Sequence, residues 1–241
     1  MEIAINNTLF KKLFLEQIGK ISDSAVIDIH DGKMFCKVCT SDNSIILGTY
    51  IVVESLKGGT SLNVGDIKKL IKAFDCIDEE EVKIKVESNN LFYEDKKIKF
   101  KFHLLENGII SQPKINFDKL STFNFEGSFS VSDKKLNELV KASTFATDSN
   151  KVYLSSNGTS LKGDLTDKAR YNVDSFEINL SDNYSGPQLQ NLCLGFEIFR
   201  ILSTGRYNSL NCKVAPKLGV VLFEFSNNIF TSKYIVSALT K

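Results

Sequence analysis

The sequence contains no tryptophan, two histidines, two methionines and three prolines among its 241 residues. His30 and His103 fall in or at the ends of predicted strands, so a histidine-based catalytic triad has no material. So few prolines, with no low-complexity tract, argue against a disordered chain. No apolar run approaches the ~20 residues that cross a bilayer. No basic segment followed by an apolar run opens the chain, and a cytoplasmic protein with no membrane partner is expected. The phosphate-binding pattern G-x-x-x-x-G-K-[ST] is absent, which argues against a P-loop ATPase. Five cysteines, an odd number, suggest a reducing compartment rather than a disulfide framework. Cys36 and Cys39 form the one close pair. Three positions apart on a strand they face opposite ways, and Cys76, Cys193 and Cys212 are scattered, so no metal site is expected. Glu79-Glu80-Glu81 reads as a solvated turn. The expectation is a non-enzyme with no catalytic residues, no metal and no cofactor.

What is present is balanced: 30 basic residues against 29 acidic, with 42% apolar and 24% charged composition. Such figures suit a soluble globular chain long enough for one large domain or two of about 120 residues. Within it one structural phrase occurs four times: a strand, a helix, then three strands, with a period of roughly 60 residues that points to duplication. The first phrase runs through Glu2–Asn6, a helix near Thr8–Gly19, and strands at Val26–Ile29, Met34–Val38 and Ile45–Val53. The second has Ser61–Val64, a helix at Asp66–Phe74, then Glu81–Glu87, Leu91–Glu94 and Lys97–Leu105. The third has Phe123–Val131, a helix at Asp133–Ser143, then Val152–Ser155, Thr159–Asp164 and Tyr171–Leu180. The fourth has Leu189–Leu194, a helix at Phe196–Ser203, then Ser209–Val214, Gly219–Phe225 and Ile229–Ala238.

Each helix separates an apolar stripe from basic residues when positions are placed 100° apart. The second is clearest, with Ile67, Leu70, Ile71 and Phe74 on one side and Lys68, Lys69 and Lys72 on the other. In the third, Leu136, Leu139 and Val140 oppose Lys134, Lys141, Asn137 and Glu138, with Ser132 as N-cap and Asp133 suited to the helix dipole. In the first, Phe10, Leu13, Phe14 and Ile18 oppose Lys11, Lys12 and Glu16, while Leu15 falls on the polar side. The fourth buries Ile198, Phe199 and Leu202, turns Arg200 outward, and ends at Gly205 before Arg206. Lysines on one solvent-facing helix are ordinarily solubilising; a basic bias repeated four times weakens that explanation. Alternating strands such as 82–86 and 98–102 indicate antiparallel sheets covered by helices on one face.

Leu62-Asn-Val-Gly-Asp-Ile-Lys-Lys-Leu-Ile-Lys72 and Phe199-Arg-Ile-Leu-Ser-Thr-Gly-Arg-Tyr207 resemble the second helix of a clamp domain and the turn that leaves it. Leu62 and Gly65 align with Leu192 and Gly195. Over nearly its whole length the chain resembles the DNA polymerase sliding clamps of T-even-like tailed phages, related to the proliferating-cell antigen. The abundance of Lys, Asn and Ile is compatible with an AT-rich phage genome. The resemblance implies an α+β clamp fold with domains at residues 1–105 and 120–241, joined by a connector at 106–119. Three chains would close into a pseudo-sixfold ring by pairing strands at Lys97–Leu104 and Tyr171–Leu180. DNA-facing residues would come from Lys11, Lys12, Lys68, Lys69, Lys72, Lys134, Lys135, Lys141, Arg200 and Arg206. Ile109, Ile110 and Pro113 with Tyr234, Val236, Ala238 and Leu239 would border a pocket for partner peptides. Implied partners are duplex DNA without sequence preference, two further copies of the chain, a DNA polymerase and an ATP-dependent loader. A phage-encoded clamp would work in the host cytoplasm. Two other readings stay open: a monomeric DNA-binding processivity factor, and an interaction scaffold of the same fold that binds no DNA.

Overall fold

The computed structural model describes residues 1–53, 59–205 and 207–239. The chain divides into two compact units: Met1–Ile115 with Ser226–Ser232, and Asn116–Phe225 with Lys233–Lys241.

Unit 1 begins with β1 (Glu2–Asn6), a π-helical stretch at Leu9–Leu15 that runs into α1 (Glu16–Gly19), and the strands β2 (Ala25–His30), β3 (Lys33–Cys39) and β4 (Ile45–Val52). It continues with β5 (Thr60–Val64), α2 (Ile67–Asp75), β6 (Glu81–Glu87), β7 (Asn90–Glu94) and β8 (Lys99–His103). The predicted phrases are present, but they interlock instead of folding separately. β1 pairs antiparallel with β6, giving one sheet of order β1-β6-β7-β8, while β5 pairs with β2 in the order β5-β2-β3-β4. Each phrase therefore lends its first strand to the other. The hairpins at Asp31-Gly32 and Ser88-Asn89 hold both central residues at positive φ, the conformation that matches strand twist in a two-residue turn.

The unit's core forms beneath its two helices, where Phe10 packs edge-on against Phe74 at 5.0 Å and stacks on Phe14 at 5.9 Å. The first helix departs from the sequence reading. Leu15 is fully buried, while Leu13, assigned to the apolar stripe, is only half-buried. In an α-helix a residue five positions after Phe10 lies about 140° away. A π-helix bonds i to i+5 and takes more residues per turn, so Leu15 returns to the face of Phe10. Asn7 fixes the entry to this helix: its side-chain amide donates to the carbonyls of Ile77 and Glu79 at 3.0 and 3.3 Å. Asn7→Ala is expected to cost about 1–3 kcal/mol by stranding those acceptors. Urea unfolding measures it, and an unchanged midpoint would show that the contact is dispensable.

Unit 2 repeats the plan with β9 (Gly127–Ser132), α3 (Asp133–Ala142), β10 (Lys151–Ser156), β11 (Leu161–Leu165), β12 (Phe176–Ser181), β13 (Leu189–Gly195), α4 (Glu197–Ser203), β14 (Ser209–Ala215), β15 (Val220–Ser226) and, from Lys233 on, β16 (Phe230–Ser237). β9 pairs with β14 as β1 does with β6, and β13 pairs with β10 in the order β12-β11-β10-β13. The shared topology makes the duplication explicit. Two boundaries move by four or more residues from their predicted places. Residues 117–122 form a short 3-10 helix, so β9 starts at Gly127 and not Phe123. The strand predicted from Tyr171 starts at Phe176, and Tyr171 itself is fully exposed.

In the predicted connector, Ile109 is exposed, whereas Ile110, Pro113 and Ile115 are half-buried. The Lys37 ammonium donates to the Ile115 carbonyl at 3.4 Å and the Gln112 amide to Asp28 at 3.3 Å. These bonds fasten the segment to unit 1.

Candidate nucleic-acid interface and partner groove

The basic faces follow from how each helix is anchored. In α2 the Asp66 carboxylate caps the first turn by accepting from the Lys69 amide at 2.8 Å, and Ile67, Leu70 and Phe74 are buried. That orientation leaves Lys68, Lys69 and Lys72 exposed around a shallow hollow that they share with Asp23 and Asp66. Lys68 donates to Asp23 at 2.7 Å, which holds its ammonium above the ordinary lysine range. Lys69 and Lys72 make no ion pair among the described residues. Lys12 is half-buried and likewise unpaired. Lys11 departs from the expected free basic face: its side chain is only 15% exposed, and its ammonium sits 2.8 Å from Asp75. Lys20, which sequence reasoning passed over, follows α1, and burial pushes its pKa down.

In unit 2 the Ser132 hydroxyl caps α3, as its sequence position indicates, and Leu136 and Leu139 are buried. Here the cations have acidic company. Glu138 lies 3.1 Å from Lys135 and 4.0 Å from Lys134. Arg200 on α4 pairs with Glu197 at 3.6 Å and rests over the Phe196 ring. Lys141 is exposed and unpaired among the described residues. Gly205 closes α4 where a Cβ would overlap the Tyr207 ring. Arg206 lies outside the described residues.

Among the described residues, both strands named as ring edges end their sheets: β8 pairs only with β7, and β12 only with β11. Lys97, Lys99 and Lys101 are exposed on or beside the first edge. Glu177 lies exposed on the second, beside the partly exposed rings of Phe145 and Phe176.

A cavity of about 610 Å³ opens in unit 2, lined among others by Tyr153, Leu192, Cys193, Pro216, Ala238 and Leu239. The tail is pinned there by its own backbone, with the Leu239 amide donating to the Cys193 carbonyl at 2.8 Å. Lys168 lies over the Tyr153 ring and binds Asn191 and Asp164, while Lys151 pairs with Asp167 at 3.1 Å. Burial raises the pKa of both Tyr153 and Cys193. Of the predicted pocket residues, Ala238 and Leu239 line this cavity. Tyr234 and Val236 do not, because both are buried in the core and the Tyr234 hydroxyl is bonded to that of Tyr207 at 2.9 Å. Ile109, Ile110 and Pro113 belong to unit 1. Tyr153, Leu192, Cys193 and Pro216 carried no local signal, since five separate segments build the groove.

The groups scanned for catalysis remain apart. His30 meets Asp31 and His103 meets Asn90, both at exposed strand ends. All five cysteines are free, and Cys36 and Cys212 are buried with thiol pKa values pushed up by burial. Among the described residues no group of three or more side chains could hold a metal ion, and no helix is long and apolar enough to cross a membrane.

No family model matches the chain, and no curated protein sequence matches it. Solved structures do. The chain is similar over its full length to the A. fulgidus proliferating cell nuclear antigen bound to the C-terminal region of FEN-1, with a TM-score of 0.78, 13% identity and 98% of that chain covered. The Entamoeba histolytica proliferating cell nuclear antigen gives 0.78 at 10% identity, over 99% of this chain and 98% of that one. The Sulfolobus tokodaii PCNA2–PCNA3 complex gives 0.74 at 9% identity, over 99% of both chains. The fold is therefore that of the sliding clamps, an α+β architecture of two tandem similar units.

Proposed function

We propose that the protein is a DNA sliding clamp: a homotrimeric ring that encircles duplex DNA and tethers a polymerase, without catalytic activity of its own. The observation that carries this reading is the clamp fold over the whole chain, combined with two helix pairs that present Lys12, Lys68, Lys69, Lys72, Lys134, Lys135, Lys141 and Arg200 at their surfaces. Such residues attract phosphates without reading bases, so binding is sequence-independent, weakened by salt and compatible with sliding. Topology, not affinity, then keeps the ring on DNA.

Ring closure draws support from the free edges of β8 and β12. An unpaired edge is a template for strand addition, and a head-to-tail repeat of one such contact closes a ring when the rotation permits. We take residues 106–119 as the connector between the two clamp domains, 1–105 and 120–241. The unit 2 groove is our candidate for capturing an apolar peptide from a partner, with Ala238, Leu239 and Pro216 as its apolar wall. The polymerase and an ATP-driven loader belong to the same reading, as does the cytoplasm of a phage-infected host.

The test is topological. Protein loaded onto a circular duplex is expected to elute with the circle and to be released by one double-strand cut. Equal retention on linear DNA, lost as salt is raised, would instead indicate a monomeric factor that holds DNA by its surface.

A further inference from the structure

The two helix pairs, alike in fold, differ in charge. The helical residues of unit 1 carry Lys11, Lys12, Lys68, Lys69 and Lys72 against Glu16 and Asp75. Those of unit 2 carry Lys134, Lys135, Lys141 and Arg200 against Asp133, Glu138 and Glu197. The placement of the acids sharpens the difference. Glu138 lies within 4.0 Å of two lysines at once, and Glu197 takes Arg200. Among the described residues of its helices, unit 2 keeps only Lys141 as an exposed, unpaired cation, whereas the helices of unit 1 keep Lys69 and Lys72, adjacent on one helix face at i, i+3.

These surface pairs contribute little to stability, but they matter for a polyanion. A carboxylate a few ångströms from an ammonium cancels most of its field beyond the ~8 Å over which exposed charges act at physiological salt. A lysine so paired adds little to counterion release.

We infer that the grip on duplex DNA is unequal: α2 of unit 1, through Lys69 and Lys72, makes the principal phosphate contacts, while Glu138 and Glu197 hold the unit 2 face electrostatically quiet. This rests on the reading that these faces meet DNA. It also gives the two carboxylates a role, since each limits how tightly the ring holds the duplex.

The test uses the full-length protein and a short fluorescent linear duplex, with anisotropy read across a series of salt concentrations. Lys69→Gln with Lys72→Gln is expected to weaken binding roughly tenfold at low salt and to lower the slope of log affinity on log salt by about 2. Lys134→Gln with Lys135→Gln is expected to weaken binding distinctly less than the unit 1 pair, since Glu138 already offsets one of the two charges it removes. The gain-of-function arm is Glu138→Gln with Glu197→Gln, expected to tighten binding roughly tenfold and steepen the slope. All these side chains lie at the surface, so an unchanged melting temperature certifies the fold of each variant. Equal losses from the two lysine pairs, or no gain from the glutamate pair, would overturn the inequality while leaving DNA binding intact. No salt-dependent binding by the unmodified protein would overturn the inference, because neither helix face would then attract phosphates; encirclement is tested separately on the circular duplex.

Discussion

Phe145→Asp combined with Phe176→Asp is expected to leave a folded chain of 27.0 kDa that no longer self-associates. Phe145 is 59% exposed and Phe176 37%, and with Ala142 and Ile178 they border a shallow hollow beside the free edge of β12. Exposed apolar rings grouped at an unpaired edge are a liability unless something covers them. In the ring reading a second copy does so by pairing its β8 edge with β12; Lys101 on that edge is unpaired among the described residues, whereas Lys97, Lys99 and Glu177 are already held by Asp78, Glu94 and Lys162. Aromatic anchors at interface centres cost about 2 kcal/mol or more each when removed. Two such losses weaken each interface by about 10³-fold. Because the positions are partly open to solvent, the substitution spares the core. Circular dichroism should therefore match the parent while light scattering reports a monomer. An unchanged mass would place the self-association surface elsewhere.

The second large effect concerns Leu15. On an α-helical wheel it sits among Lys11, Lys12 and Glu16, and Leu15→Ala would then change stability by about 0.5 kcal/mol or less, as surface substitutions do. In the π-helical stretch it is fully buried, and the same substitution is expected to cost about 2–5 kcal/mol. Leu13→Ala serves as the internal comparison: Leu13 is only half-buried, so its cost should be distinctly smaller. Urea denaturation of both variants gives the answer directly. A milder effect at Leu15 than at Leu13 would mean that the helix is wound as an ordinary α-helix.

Leu15 also marks where the sequence stopped being legible. Strand periodicity, the cap at Ser132 and most of the buried stripes of α2, α3 and α4 were readable because each is set by residues close together in the chain. A π-helical winding is imposed by tertiary packing, so a fixed 100° step put Leu15 on the wrong side. The exchange of first strands between phrases was hidden for a related reason: strand partners such as Ile5 and Val82 lie far apart in sequence. Tyr171 misled because an apolar residue before a strand resembles its beginning.

The candidate interface was legible as composition and not as electrostatics. Helical spacing places Lys11 with Lys12, but only the fold brings Asp75 against Lys11 and Asp23 against Lys68. The pairs of Glu138 with Lys134 and Lys135, by contrast, follow from i, i+4 and i, i+3 spacing. Tyr234 and Val236 were pocket residues only by the clamp resemblance; their burial and the bond to the Tyr207 hydroxyl show them to be core. The groove that Ala238 and Leu239 do line depends on β10, β13 and Pro216, which no local pattern connects.

The most direct test of the central claim is molar mass by light scattering during size exclusion, over a wide range of protein concentration. The ring reading predicts a species of three times the 27.0 kDa chain mass, with dissociation only on dilution. A 27.0 kDa monomer at every concentration would contradict encirclement and leave a clamp-like fold that holds DNA or partners by its surface alone.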